Sequence, residues 1–141
     1  MIRYQALIEK DGSHYSVSFP DLPGCFSSGD TRQEAAENAR EALSLYLEEA
    51  RDPKWDVPKP RARRSKHYVW IHPFVDVGVP LMIRQARRSR GLTQKQLAER
   101  LQMSLQQLQK LETPGRSNPT VRTLAAISDA LEEALEINLV A

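Results

Sequence analysis

The chain has little of what redox, metal-dependent or membrane proteins need. Its 141 residues include one cysteine, Cys25, which excludes an internal disulfide and any zinc site built on thiolates. The three histidines, His14, His67 and His72, lack metal-ligand spacing, so neither a metal nor a cofactor is expected. There is no run of about 18 apolar residues, and the first residues are not a basic start followed by an apolar stretch. A cytoplasmic location and no membrane association are therefore expected. The hydrophobic content of 40% is enough for folded cores, and the length allows one domain or two small ones.

What is present is an uneven distribution of charge. The net charge of +2 conceals segments of opposite sign. Residues 1–52 carry −5, residues 53–66 carry +5, residues 81–119 carry +6 and residues 120–141 carry −3. An acidic front half and a basic later block imply two domains with different partners, and only the basic block suits phosphate.

In the front half, Ile2, Tyr4, Ala6 and Ile8 alternate with Arg3, Gln5, Leu7 and Glu9, the pattern of a half-buried strand. Lys10-Asp11-Gly12-Ser13 has hairpin-turn chemistry. A second strand follows, with Tyr15, Val17 and Phe19 on one face, and Pro20-Asp21-Leu22-Pro23-Gly24 stops it as a rigid loop. Cys25–Gly29 is a short third strand leading into a helix. Thr31 caps that helix with Glu34 at the capping-box position, and Ala35, Ala39, Ala42, Leu43, Tyr46, Leu47 and Ala50 form its apolar stripe. The alanines let the helix lie close on a sheet.

The string YQALIEKDGSHYSVSFPDLPGCFSSGDTRQEAAENAREALSLYLEE, Tyr4 to Glu49, resembles the HicB antitoxin domain. The FPDLPGCFS loop, the GDT helix entry and the EAAENAREAL helix carry the likeness, which covers about a third of the chain. The resemblance implies a compact α+β fold, a small antiparallel sheet plus helix with a partial ribonuclease-H-like core. It also implies a partner, a small HicA-type toxin that cleaves messenger RNA. Ribonuclease-H chemistry would need clustered carboxylates around metal ions. Asp11, Asp21 and Asp30 instead sit at turns or caps, where Asp is favoured for local hydrogen bonds. No catalytic residue is assigned, and the protein is not expected to be an enzyme.

Residues 53–66, PKWDVPKPRARRSK, have the composition of an exposed, partly extended connector. A solvated linker is the plain reading, a contribution to DNA phosphate binding the alternative, and Trp55 is expected to pack back on a domain surface. His67–His72 is rich in β-formers and fits a returning strand. The front domain therefore runs over 1–78, with 53–66 as an excursion within it, and a second domain over 79–141.

That second domain should begin with a helix having Pro80 in its first turn and end it at Gly91. Two capping boxes follow, Thr93 with Gln96 and Ser104 with Gln107. They open two short helices whose inner positions are Leu97, Ala98, Leu101, Leu108 and Leu111. This stretch resembles the helix-turn-helix of the Cro/repressor family, which implies binding to operator double-stranded DNA. Carried over by position, Gln94 is a phosphate contact, Ser104 a cap able to touch phosphate, and Leu105, Gln106 and Lys110 the base-facing residues, with Gln109 at the fringe. Thr93 and Arg116 complete the candidate DNA-binding set, and Arg84, Arg87 and Arg88 are phosphate candidates by charge alone. Two positions depart from the family. Gln102 stands where a turn Gly is usual and is a candidate for positive φ, and Leu105 is apolar where a hydrogen-bonding reader is common.

Asn118-Pro119 should begin a further helix with Val121, Leu124, Ala125, Ile127 and Leu131 on its apolar stripe. Residues 134–140 alternate as a terminal strand, which in a helical domain needs a partner, most simply its copy in a second subunit. The expected state is a homodimer or higher homo-oligomer. The reading so reached is an α+β antitoxin domain followed by an all-α helix-turn-helix domain ending in a short strand. Its function would be to neutralise the toxin and repress its own operon. The alternative is a stand-alone helix-turn-helix regulator whose front domain senses a small molecule. The toxin-contacting residues are not separable from those that make the fold.

Overall fold

Alternation and turn chemistry build the first half as a sheet. In the computed structural model, which describes residues 1–139, β1 (Tyr4–Asp11) and β2 (His14–Ser18) form a hairpin that turns at Gly12, φ +62°. β3 (Phe26–Gly29) pairs with β2, and β4 (Tyr68–Ile71) returns to the far side of β1. The sheet order is β3-β2-β1-β4, antiparallel throughout. The register sets Ile8 opposite Val17, Ala6 opposite Val69 and Tyr4 opposite Ile71. One face therefore collects Tyr4, Ala6, Ile8, Val17 and Ile71, all buried.

α1 (Arg32–Glu48) covers that face. The Thr31 hydroxyl accepts from Glu34 N–H at 3.1 Å, and the Glu34 carboxylate accepts from Asp30 N–H at 2.9 Å. Ala35, Ala39, Leu43 and Leu47 are buried against the strands. The approach is close enough that a Cβ on Gly29 would lie 2.4 Å from the Ala35 nitrogen, so only glycine fits there. A single 3-10 turn (Glu49–Arg51) ends the helix. Cys25 is buried just before β3, and burial pushes its thiol up to about 11, in keeping with a small apolar role.

α2 (Val75–Ser89) starts well before the expected position. Pro80 lies in its interior rather than its first turn. A proline there leaves the carbonyl four residues back, that of Asp76, without its helical donor. Gly115 N–H, from a loop later in the chain, donates to that carbonyl at 2.9 Å, which removes the cost of leaving it unpaired. Val77 and Leu81 of α2 belong to the cluster beneath the sheet, whereas Ile83 belongs to a second cluster. The helix is thus common to both, and the expected boundary between residues 78 and 79 falls inside it.

The second cluster is helical. α3 (Gln94–Arg100), α4 (Leu105–Leu111) and α5 (Val121–Leu131) contribute Leu97, Ala98, Leu108, Ile127 and Leu131 to it. α5 is capped by Thr120, whose hydroxyl accepts from Thr123 N–H, and so starts after Asn118-Pro119. Of its expected apolar stripe, Ile127 and Leu131 are buried and Leu124 is half-buried, but Val121 and Ala125 face solvent. The expected terminal strand is not formed among the described residues: 133–139 join no ladder, and Val140 lies outside them. A strand is held by its neighbour's backbone, and among the described residues none pairs with this tail. No described helix is long and apolar enough to cross a membrane.

Candidate nucleic-acid interface

The two capping boxes set the geometry of α3 and α4. Thr93 Oγ1 accepts from Gln96 N–H at 3.1 Å while Gln96 Oε1 accepts from Thr93 N–H at 2.9 Å. Ser104 and Gln107 repeat the exchange at 3.1 and 2.8 Å. Each box ties two backbone donors that a short helix would otherwise leave unpaired. Between the helices Gln102 takes φ +54°, the left-handed conformation a turn glycine would adopt more easily. That backbone brings Met103 N–H onto the Ala98 carbonyl at 3.0 Å and closes the turn.

Leu97, Ala98 and Leu108 face inward, which leaves Leu105, Gln106, Gln109 and Lys110 exposed on one face of α4. Two amides, an ammonium and an apolar tip on one helical face can meet hydrogen-bonding base edges and a thymine methyl. Leu105 is 41% exposed, so its side chain is available to meet an apolar group on a partner. Ser104 and Thr93 accept within their caps and keep a hydroxyl proton to donate outward. Arg116 is exposed in the loop beyond α4.

Not every candidate faces outward. Gln94 is half-buried, its amide nitrogen 3.4 Å from Glu112 Oε1. Arg84, Arg87 and Arg88 are not free surface cations. Arg87 is buried and grips the buried Glu112 carboxylate through Nε and Nη2 at 2.7–3.0 Å, and its Nη1 donates to the Leu92 carbonyl. Arg84, also buried, donates to the Glu112 carbonyl at 2.8 Å. Desolvation draws its pKa below the ordinary value, with Glu112 opposing that shift. Arg88 binds the Asp56 carboxylate and the Pro53 carbonyl.

The signal for this was in the spacing. Val77, Leu81, Arg84 and Arg87 or Arg88 recur at three- to four-residue steps, so the buried stripe of α2 runs on into its arginines. Glu112, the residue that makes their burial possible, carried no sequence signal of its own. The candidate site thus consists of an outward row on α4 and an inward Arg84–Arg87–Glu112–Gln94 network that ties the two short helices to α2.

A second electrostatic anchor lies at the sheet. Asp21, one of the carboxylates weighed for metal chemistry, accepts from Arg63 at 2.8 and 3.0 Å and from Arg61 N–H at 2.8 Å. The hydrogen bonds from Arg63 hold its carboxyl below the usual value.

The described fold and site can be set beside known proteins. The family profile for the HicB-like antitoxin of bacterial toxin-antitoxin systems matches residues 4–123. The chain is 26% identical over 140 residues to Antitoxin HicB 2 of Photorhabdus laumondii, covering 96% of this chain and 95% of that protein. It is 48% identical over 56 residues to an uncharacterized 14.9 kDa protein from the rep-hol intergenic region of Haemophilus phage HP1. That match covers 40% of this chain and spans 42% of the phage protein's length. Among solved structures, a chain of the HicA3 and HicB3 toxin-antitoxin complex aligns over 44% of this chain and 72% of its own, at 29% identity and a TM-score of 0.38. A family profile that matches most of its length, from β1 into α5, shows that the chain belongs to the HicB-like antitoxins of bacterial toxin-antitoxin systems.

Proposed function

We propose that the protein neutralises a HicA-type, messenger-RNA-cleaving toxin through its sheet-and-α1 half and represses its own operon through α3 and α4. The observation that carries the DNA half is the exposed row Leu105, Gln106, Gln109 and Lys110, presented by a helix boxed at its start and tied at its end to α2. Gln106 and Lys110 read bases, Leu105 meets a thymine methyl, and Thr93, Ser104 and Arg116 contact phosphate. Gln94 contributes by bracing Glu112 and reaches phosphate only if it swings outward.

The toxin half rests on family membership and on charge. A protein that holds RNA presents a basic surface, and residues 1–52 carry −5. Neutralisation needs only that the toxin's active face be covered, so no chemistry is asked of this chain.

The protein acts as a dimer. An open groove of about 500 Å³ between α2, α5 and the tail is lined by Met82, Ala86, Leu124 and Leu135, and beside it Ile137 and Leu139 stand exposed. A second copy's tail pairing with this one fills the groove and supplies the strand partner that residues 133–139 do not find among the described residues.

Co-expression with the adjacent reading frames, followed by affinity capture, tests the first half: a small basic protein is expected to co-purify. Binding of the purified protein to its own promoter fragment tests the second. Capture of no basic partner would remove the antitoxin mechanism, and promoter affinity no better than for a scrambled fragment would remove autoregulation.

A further inference from the structure

Residues 55–65 have no regular secondary structure, yet they are fastened along their length. The Trp55 ring packs on Tyr46 with centroids 6.0 Å apart. Tyr4 donates its hydroxyl to the Pro58 carbonyl. Asp21 holds both Arg61 N–H and the Arg63 guanidinium, and the Gln5 side-chain amide pairs with the Arg63 backbone on both its donor and acceptor sides. Arg88 binds Pro53 and Asp56 at one end, and Arg32 donates to the Lys66 carbonyl at the other.

This strap returns the chain from the end of α1 to its beginning, a distance of about 25 Å for a helix of this length. About eight extended residues would cover that. The strap is longer than the task requires, and most of its positive charge is not used for holding it. Arg63 alone turns inward to Asp21. Lys54, Lys59, Arg61, Arg64 and Lys66 are exposed, and among the described residues none of them is ion-paired. The result is a fixed basic ridge on the otherwise acidic half.

The ridge starts beside the helix-turn-helix. Arg88, which grips its first residues, lies in the last turn of α2, just before α3. A Cβ on Gly115, the neighbour of Arg116, would lie 3.4 Å from Arg51. From there the ridge leads away over a length equal to about seven base pairs of duplex.

We infer that the strap is a second phosphate-binding surface, which lies along the backbone of duplex DNA flanking the sequence read by α4. The inference rests on the DNA-binding role proposed above and adds a sequence-independent contact to it. A basic toxin surface is a poor occupant, since like charges across an interface repel.

The test uses the full chain and a Lys59→Ser/Arg61→Ser/Arg64→Ser/Lys66→Ser variant, which leaves Arg63 and every fastening side chain in place. Two duplexes from its own promoter are compared: the shortest that still binds in preference to a scrambled sequence, taken as the core, and that core extended by about ten base pairs on each side, roughly one helical turn. On the extended duplex the variant is expected to bind at least about tenfold more weakly, with a log–log salt slope shallower by up to about 3.6 for each bound subunit, or about 7 for the dimer, while its affinity for the core matches the parent. Equal affinity and slope for parent and variant on the extended duplex would overturn the inference. So would an equal loss on both duplexes, or a loss confined to a single-stranded RNA oligonucleotide. If the parent binds neither duplex above a scrambled control, the DNA-binding role itself fails and the strap's with it.

Discussion

The two halves of the molecule are held together by different means. Among the described residues, the sheet half buries sixteen apolar side chains in one cluster, from Ile2 to Leu81. The helical half buries six, and its other order comes from polar devices: two capping boxes, a borrowed hydrogen bond at Asp76, and the Arg84–Arg87–Glu112 network. A small cluster cannot fix two seven-residue helices by apolar area alone, because short helices are unstable without tertiary support. Both halves contain an Arg–carboxylate pair, and these differ in the same way. In Arg87–Glu112 the side chains are 8% and 1% exposed, whereas Arg63 beside Asp21 is 27% exposed.

The sharpest way to break the comparison is to remove one carboxylate from each half. Glu112→Ala strands Arg87 in the interior and should cost about 3–5 kcal/mol, with the helical half losing its circular dichroism and DNA affinity first. Asp21→Ala should cost clearly less, because water reaches Arg63 and can replace part of the pair. Equal losses in urea titrations would mean that the two pairs are equivalent after all.

Removing a cap is a smaller insult. Thr93→Ala and Ser104→Ala should each cost about 1 kcal/mol. Amide exchange should show the loss local to α3 or α4, leaving β1 and α1 as protected as in the parent.

Gln102→Gly works in the other direction. It removes a side chain from φ +54° and should stabilise the helical half by about 1 kcal/mol. A lower melting temperature would show that the Gln102 side chain contributes something the backbone argument omits.

The mildest effect concerns acid. The folded carboxyl of Asp21 sits below its ordinary value of 3.8 because Arg63 hydrogen-bonds to it. Its contribution is therefore present above the unfolded value and is lost as pH falls through the folded one. Stability followed from about pH 5 down to 2 should fall less steeply in Asp21→Asn than in the parent.

What was legible in the sequence was local. The hairpin, the α1 stripe and both boxes depend on residues within a turn of each other, and all appear where the spacing places them. The positive φ at Gln102 was visible as a missing glycine. What was not legible depended on distant partners. Pro80 sits inside α2 because Gly115, far along the chain, satisfies Asp76. Arg84 and Arg87 are buried because Glu112 arrives from the end of α4. The basic run of 53–66 read as a solvated connector because Asp21 and Gln5, which pin it, lie in other elements. The tail shows the converse: its alternation is plain, yet pattern alone makes no strand without a neighbour.

In the proposed division of labour α4 acts on DNA while a separate surface in the other half acts on the toxin. A Gln106→Ala/Lys110→Ala variant, assayed for promoter binding and for rescue of growth from the co-expressed toxin, tests this most directly. Promoter binding should fall by at least about tenfold, the loss of about 1.4 kcal/mol or more expected when two base-facing side chains are removed, while rescue remains complete. Rescue lost together with promoter binding, in a variant that melts like the parent, or promoter binding left intact, would contradict it.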